Sequence, residues 1–238
     1  MHIRDLSRFL LELSESNNRA WFVMNKPRYD ILRAEFLQFV TQLIDNISQF
    51  DPAIKGCEPK KALFRINRDV RFGKDKAPYK TNFSASILPS GRKKPSEGGG
   101  PAYYFQMDGQ GRLFFAVGEY MPPSDRLRSI RQHIVNDSEG FSHLLKNKGL
   151  KQTYGQLQQE AKLIRPPKGF DADDPHIEQL KLKNFIVWSE CQLDDMDVSQ
   201  LQDTLTKNFK NAYPLVAWLR AATTVTANTE TGKIAKLT

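Results

Sequence analysis

The sequence predicts an α+β fold: a single domain with a mainly antiparallel sheet of about five strands covered by N- and C-terminal helices. Apolar residues recur with the 3.6-residue period of a helix at both ends of the chain. Between them the period drops to two, and several such segments lie close together, the spacing that hairpins allow. With 238 residues, 39% of them hydrophobic and 26% charged, the chain can bury a substantial core.

Leu6, Phe9, Leu10 and Leu13 form one helical face, which Asn17-Asn18 closes. Tyr29, Leu32, Phe36, Phe39, Val40, Leu43 and Ile47 keep the period for five turns, with Pro27 where a helix start tolerates it. Strands are expected near 62–72, 82–88, 102–108, 112–118 and 184–192. Phe83, Ala85 and Ile87 alternate with Asn82, Ser84 and Ser86. Tyr103, Phe105 and Met107 lead through Asp108-Gly-Gln-Gly111 into Leu113, Phe115 and Val117, a hairpin. Leu127, Ile130 and Ile134 mark a helix opened by Ser124, and Phe141, Leu144 and Leu145 another. Val198, Leu201, Leu205, Phe209 and Ala212 begin a C-terminal helix that Pro214 should kink or restart before Leu215 to Leu219 continue it. Residues 1–222 are read as the domain and 223–238 as a polar tail without periodicity.

Two cysteines, Cys57 and Cys191, exclude a disulfide framework and favour a reducing compartment. Arg4, Asp5, Arg8 and Glu12 interrupt any signal-peptide apolar run, and no other run approaches a membrane span, so a soluble cytoplasmic protein is expected. The net charge is +8, and one segment carries all of the excess. Residues 55–94 hold twelve Lys and Arg against only Glu58, Asp69 and Asp75. Such a concentration favours an anionic partner.

Within that segment, Ala62, Phe64, Ile66, Val70 and Phe72 share one face of the expected strand, while Arg65, Asn67, Asp69 and Arg71 share the other. Arg68 breaks the alternation by falling on the apolar side. A buried guanidinium there requires a carboxylate, Asp75 or Glu119, or a bound anion. Breaking such a buried pair costs about 3 to 5 kcal/mol.

The run from Phe64 to Thr81, Phe-Arg-Ile-Asn-Arg-Asp-Val-Arg-Phe-Gly-Lys-Asp-Lys-Ala-Pro-Tyr-Lys-Thr, resembles the signature of domain of unknown function 2461, a family of bacteria and fungi. Asn17-Asn-Arg19, Trp21-Phe22, Asn25-Lys26, Gly118-Glu-Tyr-Met-Pro122, Leu127 and Ile130-Arg131 resemble its other blocks, so the likeness spans roughly residues 4 to 220. The resemblance implies a single α+β domain and carries over no activity, cofactor or catalytic residue.

Chemically, guanidiniums and clustered ammoniums match phosphate or carboxylate oxygens. One reading is a basic pocket for a small phosphorylated or carboxylated ligand, enzymatic or not. It would use Arg65, Arg68, Arg71, Lys76 and Lys80, with Asp69 or Asp75 orienting cations or acting as a base, and Tyr79 or Tyr104 donating hydrogen bonds. The alternative is nucleic acid, with Lys60, Lys61 and 92–94 added along a phosphate backbone and Tyr79, Tyr103 or Tyr104 stacking on bases. A third reading has the Arg/Asp network only stabilising a tight connection. Gly98-Gly-Gly100 lacks the Lys-Ser/Thr of a P-loop, and His133, His143 and His176 lack zinc-ligand spacing, so no metal site is expected and no cofactor is indicated. Residues 89–101, rich in Pro, Gly and Ser, are expected to be a mobile loop able to close over the basic site. Oligomeric state leaves no mark on the sequence.

Overall fold

The structure, a computed structural model, describes residues 1–222 apart from 72–73, 90–94, 98 and 194–195. The expected polar tail, residues 90–94 and 98 of the expected loop over the basic site, and the end of the expected strand at Phe72 therefore lie outside the described residues. Helices α1 (Ile3–Glu15), α2 (Arg19–Met24), α3 (Lys26–Phe50) and α4 (Pro59–Ala62) precede strand β1 (Asn82–Ile87). Strands β2 (Ala102–Asp108) and β3 (Arg112–Glu119) form the hairpin. Helices α5 (Ser124–Asn136), α6 (Ser138–Leu145), α7 (Lys148–Tyr154) and α8 (Ile177–Leu180) lead to β4 (Phe185–Gln192) and α9 (Val198–Ala221). The fold is α+β, with one antiparallel sheet in the order β1-β2-β3-β4.

Among the described residues the sheet has four strands, not the five expected. The missing one is the segment from residue 62, where α4 takes the first residue and only isolated bridges follow, Leu63 to Ala85 and Asn67 to Tyr79. Between those bridges the outgoing chain advances four residues while the returning chain takes six. Two extra residues around Thr81 interrupt the ladder as a bulge does, so neither side extends into a regular strand. Elsewhere Pro27 sits in the first turn of α3, and α9 runs through Pro214 as one helix.

The chain divides into two compact units. The first comprises 1–93, 103–116 and 189–210. Its core is aromatic: Phe36 lies edge-on to Phe83 at 5.4 Å and 5.6 Å from Phe105, which Phe39 meets at 5.9 Å. The register Phe83 to Met107 and Ala85 to Phe105 puts these side chains on one sheet face, and Ser84, Ser86, Tyr104 and Gln106 on the other. Tyr103, fully buried against Phe209, donates its hydroxyl hydrogen to Asp51 at 2.8 Å, satisfying a carboxylate with no solvent access. A Cβ at Gly109 would stand 2.4 Å from the Leu11 backbone nitrogen, so the hairpin tip needs that glycine to pack on α1.

Among the described residues, the second unit comprises 95–97, 99–102, 117–188 and 211–222. Its polar centre is buried. Arg126 is bound to Glu119 and donates to the Leu219 carbonyl oxygen at 2.5 Å, while Trp218 Nε1 donates to Asp137 at 3.0 Å. Gly118 has φ +125°, and a Cβ there would meet the Phe185 carbonyl oxygen at 2.1 Å. Both facts demand glycine. Gly118→Ala is expected to lower stability by more than about 1 kcal/mol, read as a drop in thermal midpoint; an unchanged midpoint would refute the close approach.

Candidate functional site

Although it is not a strand, the segment from Ala62 keeps its alternation from Phe64 on, while Leu63 is buried along with Ala62. Ala62 and Ile66 are buried and Phe64, Arg68 and Val70 half-buried, whereas Arg65, Asn67, Asp69 and Arg71 are exposed. Backbone bonds hold it to the returning chain: Phe64 N donates to Ser84 O at 3.0 Å, Lys80 N to Ile66 O at 2.8 Å, and Arg68 N to Pro78 O at 2.9 Å. The described residues 69–71 and 74–77 belong to the loop beyond that last bond.

The loop is tied by its own charges. Arg68 Nη1 is bound to the Asp75 carboxylate, and Asp75 Oδ1 also accepts from Ala77 N at 2.9 Å. Asp69 receives Arg71 Nε at 2.9 Å and Nη2 at 2.7 Å, and Lys76 Nζ donates to the Val70 carbonyl oxygen at 3.0 Å. Backbone and arginine hydrogen bonds hold Asp75 below the ordinary carboxylate range, and the Arg71 bonds do the same for Asp69. Asp75, rather than Glu119, partners Arg68. The expectation of a largely buried guanidinium is corrected: the Arg68 side chain is 32% exposed and Asp75 65%, because the chain turns immediately afterward and the long side chain reaches past the apolar row to its rim. Glu119 is fully buried and engaged by Arg126 in the second unit.

The return of the loop is clamped to the N-terminal helices. Asn17 Nδ2 donates to Tyr79 O at 3.0 Å while Tyr79 N donates to Asn17 Oδ1 at 3.1 Å, a reciprocal amide contact across 62 positions. Asn18 caps α2 by accepting from Trp21 N at 3.0 Å. That places Phe22 to stack on the Tyr79 ring, with centroids 4.0 Å apart and planes at 17°. Tyr79, only 7% exposed, is thus a packing residue. Phe22 and Asn17, far from the motif in sequence, hold it in place. Their proximity to it has no periodic signal.

Arg65 and Lys80 stand outside this network, as does Lys74 within the loop. Arg65 is exposed and Lys80 half-buried, and no carboxylate lies within 4.0 Å of either among the described residues. Lys80 Nζ instead sits 4.8 Å from the centre of the Phe64 ring. Burial, and then the charge of Arg65, push its pKa down from the usual lysine value. Phe64 begins a row of half-buried rings: its centroid is 6.0 Å from Tyr104, which is 6.2 Å from Phe114, both contacts edge-on. The Tyr104 hydroxyl donates to Gln106 Oε1 at 2.7 Å, and burial raises its pKa against the opposing Ser84 hydrogen bond. A shallow depression lined by Tyr29, Arg33, Leu63, Phe64, Asn82 and Ser84 adjoins Phe64. No group of three metal-ligating side chains occurs among the described residues. Nor is any helix among them long and apolar enough to cross a membrane.

The family model of the conserved hypothetical proteins designated DUF2461 matches residues 5–218. No curated protein and no solved structure matches the chain.

Two expectations follow from the contrast between the ion pairs. Arg126→Leu strands the buried Glu119 carboxylate and should cost about 3 to 5 kcal/mol. Arg68→Leu leaves an already solvated Asp75 and should cost much less in the same denaturant titration; equal losses would overturn this account. Because Asp69 and Asp75 have depressed folded-state pKa values, their contribution to loop order is present above the unfolded carboxylate value. It is lost as pH falls through the folded one. Carboxyl NMR titrations should show both midpoints below the model-peptide Asp value of about 3.9, and midpoints at or above it would contradict the network.

Proposed function

We propose, from the premise that this chain belongs to the conserved hypothetical protein family DUF2461, that it binds a phosphate- or carboxylate-bearing ligand where Arg65 and Lys80 meet. The observation that carries this reading is that half-buried Lys80, its ammonium 4.8 Å from the centre of the Phe64 ring, has no carboxylate within 4.0 Å among the described residues, while burial and then the charge of Arg65 push its pKa down. A bound anion would relieve both the repulsion and the desolvation. Arg68, Arg71 and Lys76 serve a different purpose: each is bound to a group of the loop itself and shapes the surface beside Arg65.

Binding fits this arrangement better than general-base catalysis. Asp69 and Asp75, the candidate bases, are held by arginines with lowered pKa, so each is a weak proton acceptor near neutral pH. Tyr104 adjoins Phe64 as a half-buried ring whose hydroxyl is engaged by Gln106, whereas Tyr79 and Glu119 are occupied in packing and in a buried ion pair.

Thermal shift against a panel of phosphorylated and carboxylated compounds tests the reading. A ligand at about 100 times its Kd should add about 2.7 kcal/mol to the folded state. The double variant Arg65→Ala, Lys80→Ala should abolish that gain while keeping the unliganded midpoint. If the double variant retained the full shift, the site would lie elsewhere; if no compound raised the wild-type midpoint, the anion reading would fail.

A further inference from the structure

We propose that the ligand of this surface is single-stranded nucleic acid, an inference that rests on the anion-binding reading and names its class. Phe64, Tyr104 and Phe114 come from three separate segments of the first unit, the chain after α4, β2 and β3. They meet edge-on at centroid spacings of 6.0 and 6.2 Å. All three are half-buried, so each is anchored while part of its surface stays accessible. Lys80 lies against the first ring, and Arg65 is close enough to shift its titration. A row of rings bordered by unneutralised cations is the arrangement that takes unstacked bases on the rings and the phosphate backbone on the charges.

The alternatives fit less well. A compact ligand would occupy one ring, whereas the row continues for two further spacings away from the cations. A duplex presents its bases only inside grooves, which are entered by a protruding helix or ribbon. Tyr104 and Phe114 instead sit within the sheet, on the same hairpin, on the face opposite the aromatic core. The charge distribution points the same way, since residues 55–94 carry all of the chain's positive excess and surround the row's cationic end in sequence. Because every base offers a π-face, little sequence preference is expected.

The test uses the full chain, with fluorescence anisotropy of labelled oligothymidylate and oligouridylate of about 12 nucleotides. Inorganic polyphosphate of equal charge and a DNA duplex serve as competitors. Each titration is run at about 50 and 200 mM salt. The expected result is single-strand binding that weakens with salt and resists polyphosphate better than charge alone predicts. Tyr104→Leu should weaken oligonucleotide binding roughly five- to hundredfold, the loss of one stacked base, without altering polyphosphate binding. Tyr104→Phe, which keeps the ring, should change it less than about twofold. Phe114→Leu provides the same comparison if Tyr104→Leu does not fold. Arg65→Ala with Lys80→Ala should weaken both polymers. Equal binding of oligonucleotide and polyphosphate with no effect of ring removal would overturn the nucleic-acid inference and leave the anion reading standing. Preference for the duplex would also overturn it. Failure of both polymers to bind would overturn both.

Discussion

The reciprocal contact between the Asn17 side chain and the Tyr79 backbone is the constraint on which the basic surface depends. The loop between residues 67 and 79 has no regular ladder to hold it, because the two extra residues around Thr81 break the pairing with β1. A side-chain amide that offers one donor and one acceptor in a plane can stand in for the missing neighbouring strand. With the stack of Tyr79 on Phe22, it fixes where the chain leaves the loop. That point determines where Lys80, the next residue, projects over Phe64.

Charge is then partitioned by distance along the chain. Asp69 and Asp75 are near enough to Arg71 and Arg68 to close two- and seven-residue ion pairs, and each carboxylate also accepts a backbone N–H. These pairs are solvent-exposed and contribute shape more than stability, since water screens them. Arg65 and Lys80 lie outside the reach of these acids' hydrogen bonds, although Arg65 still lowers the pKa of Asp69 from a distance. Within the positive surplus evident in composition, Arg68 and Arg71 are thus paired with the two acids of the loop, while Arg65 and Lys80 are not.

The second unit uses the same residue types to a different end. Glu119 is wholly buried, and Arg126, 9% exposed, meets both its oxygens as well as the Leu219 carbonyl. There the desolvation cost is high and the hydrogen bonds are obligatory, so the pair holds elements together rather than offering charge to a ligand. Arg131, equally buried, is satisfied only in part: Nη2 donates to the Leu182 carbonyl at 3.0 Å while Nε has no partner. Burial lowers its pKa accordingly.

The amino-acid sequence by itself determined the α+β class, the long helices, the hairpin and even the side-to-side alternation of residues 64–71, because these follow from local periodicity and turn chemistry. It also placed Asp75 among the partners open to Arg68, since the two lie seven residues apart across one turn. Only the tertiary structure decided that Glu119 belongs to Arg126, that Tyr79 is a packing ring, and that Asn17 bonds a backbone 62 positions away. It alone aligned Phe64, Tyr104 and Phe114, whose adjacency depends on the register between β2, β3 and an irregular segment. Periodicity reports which face a residue occupies, and that is a property of near neighbours. Which residue it meets there is set by how distant segments close on one another, where an insertion of two residues redirects every later contact.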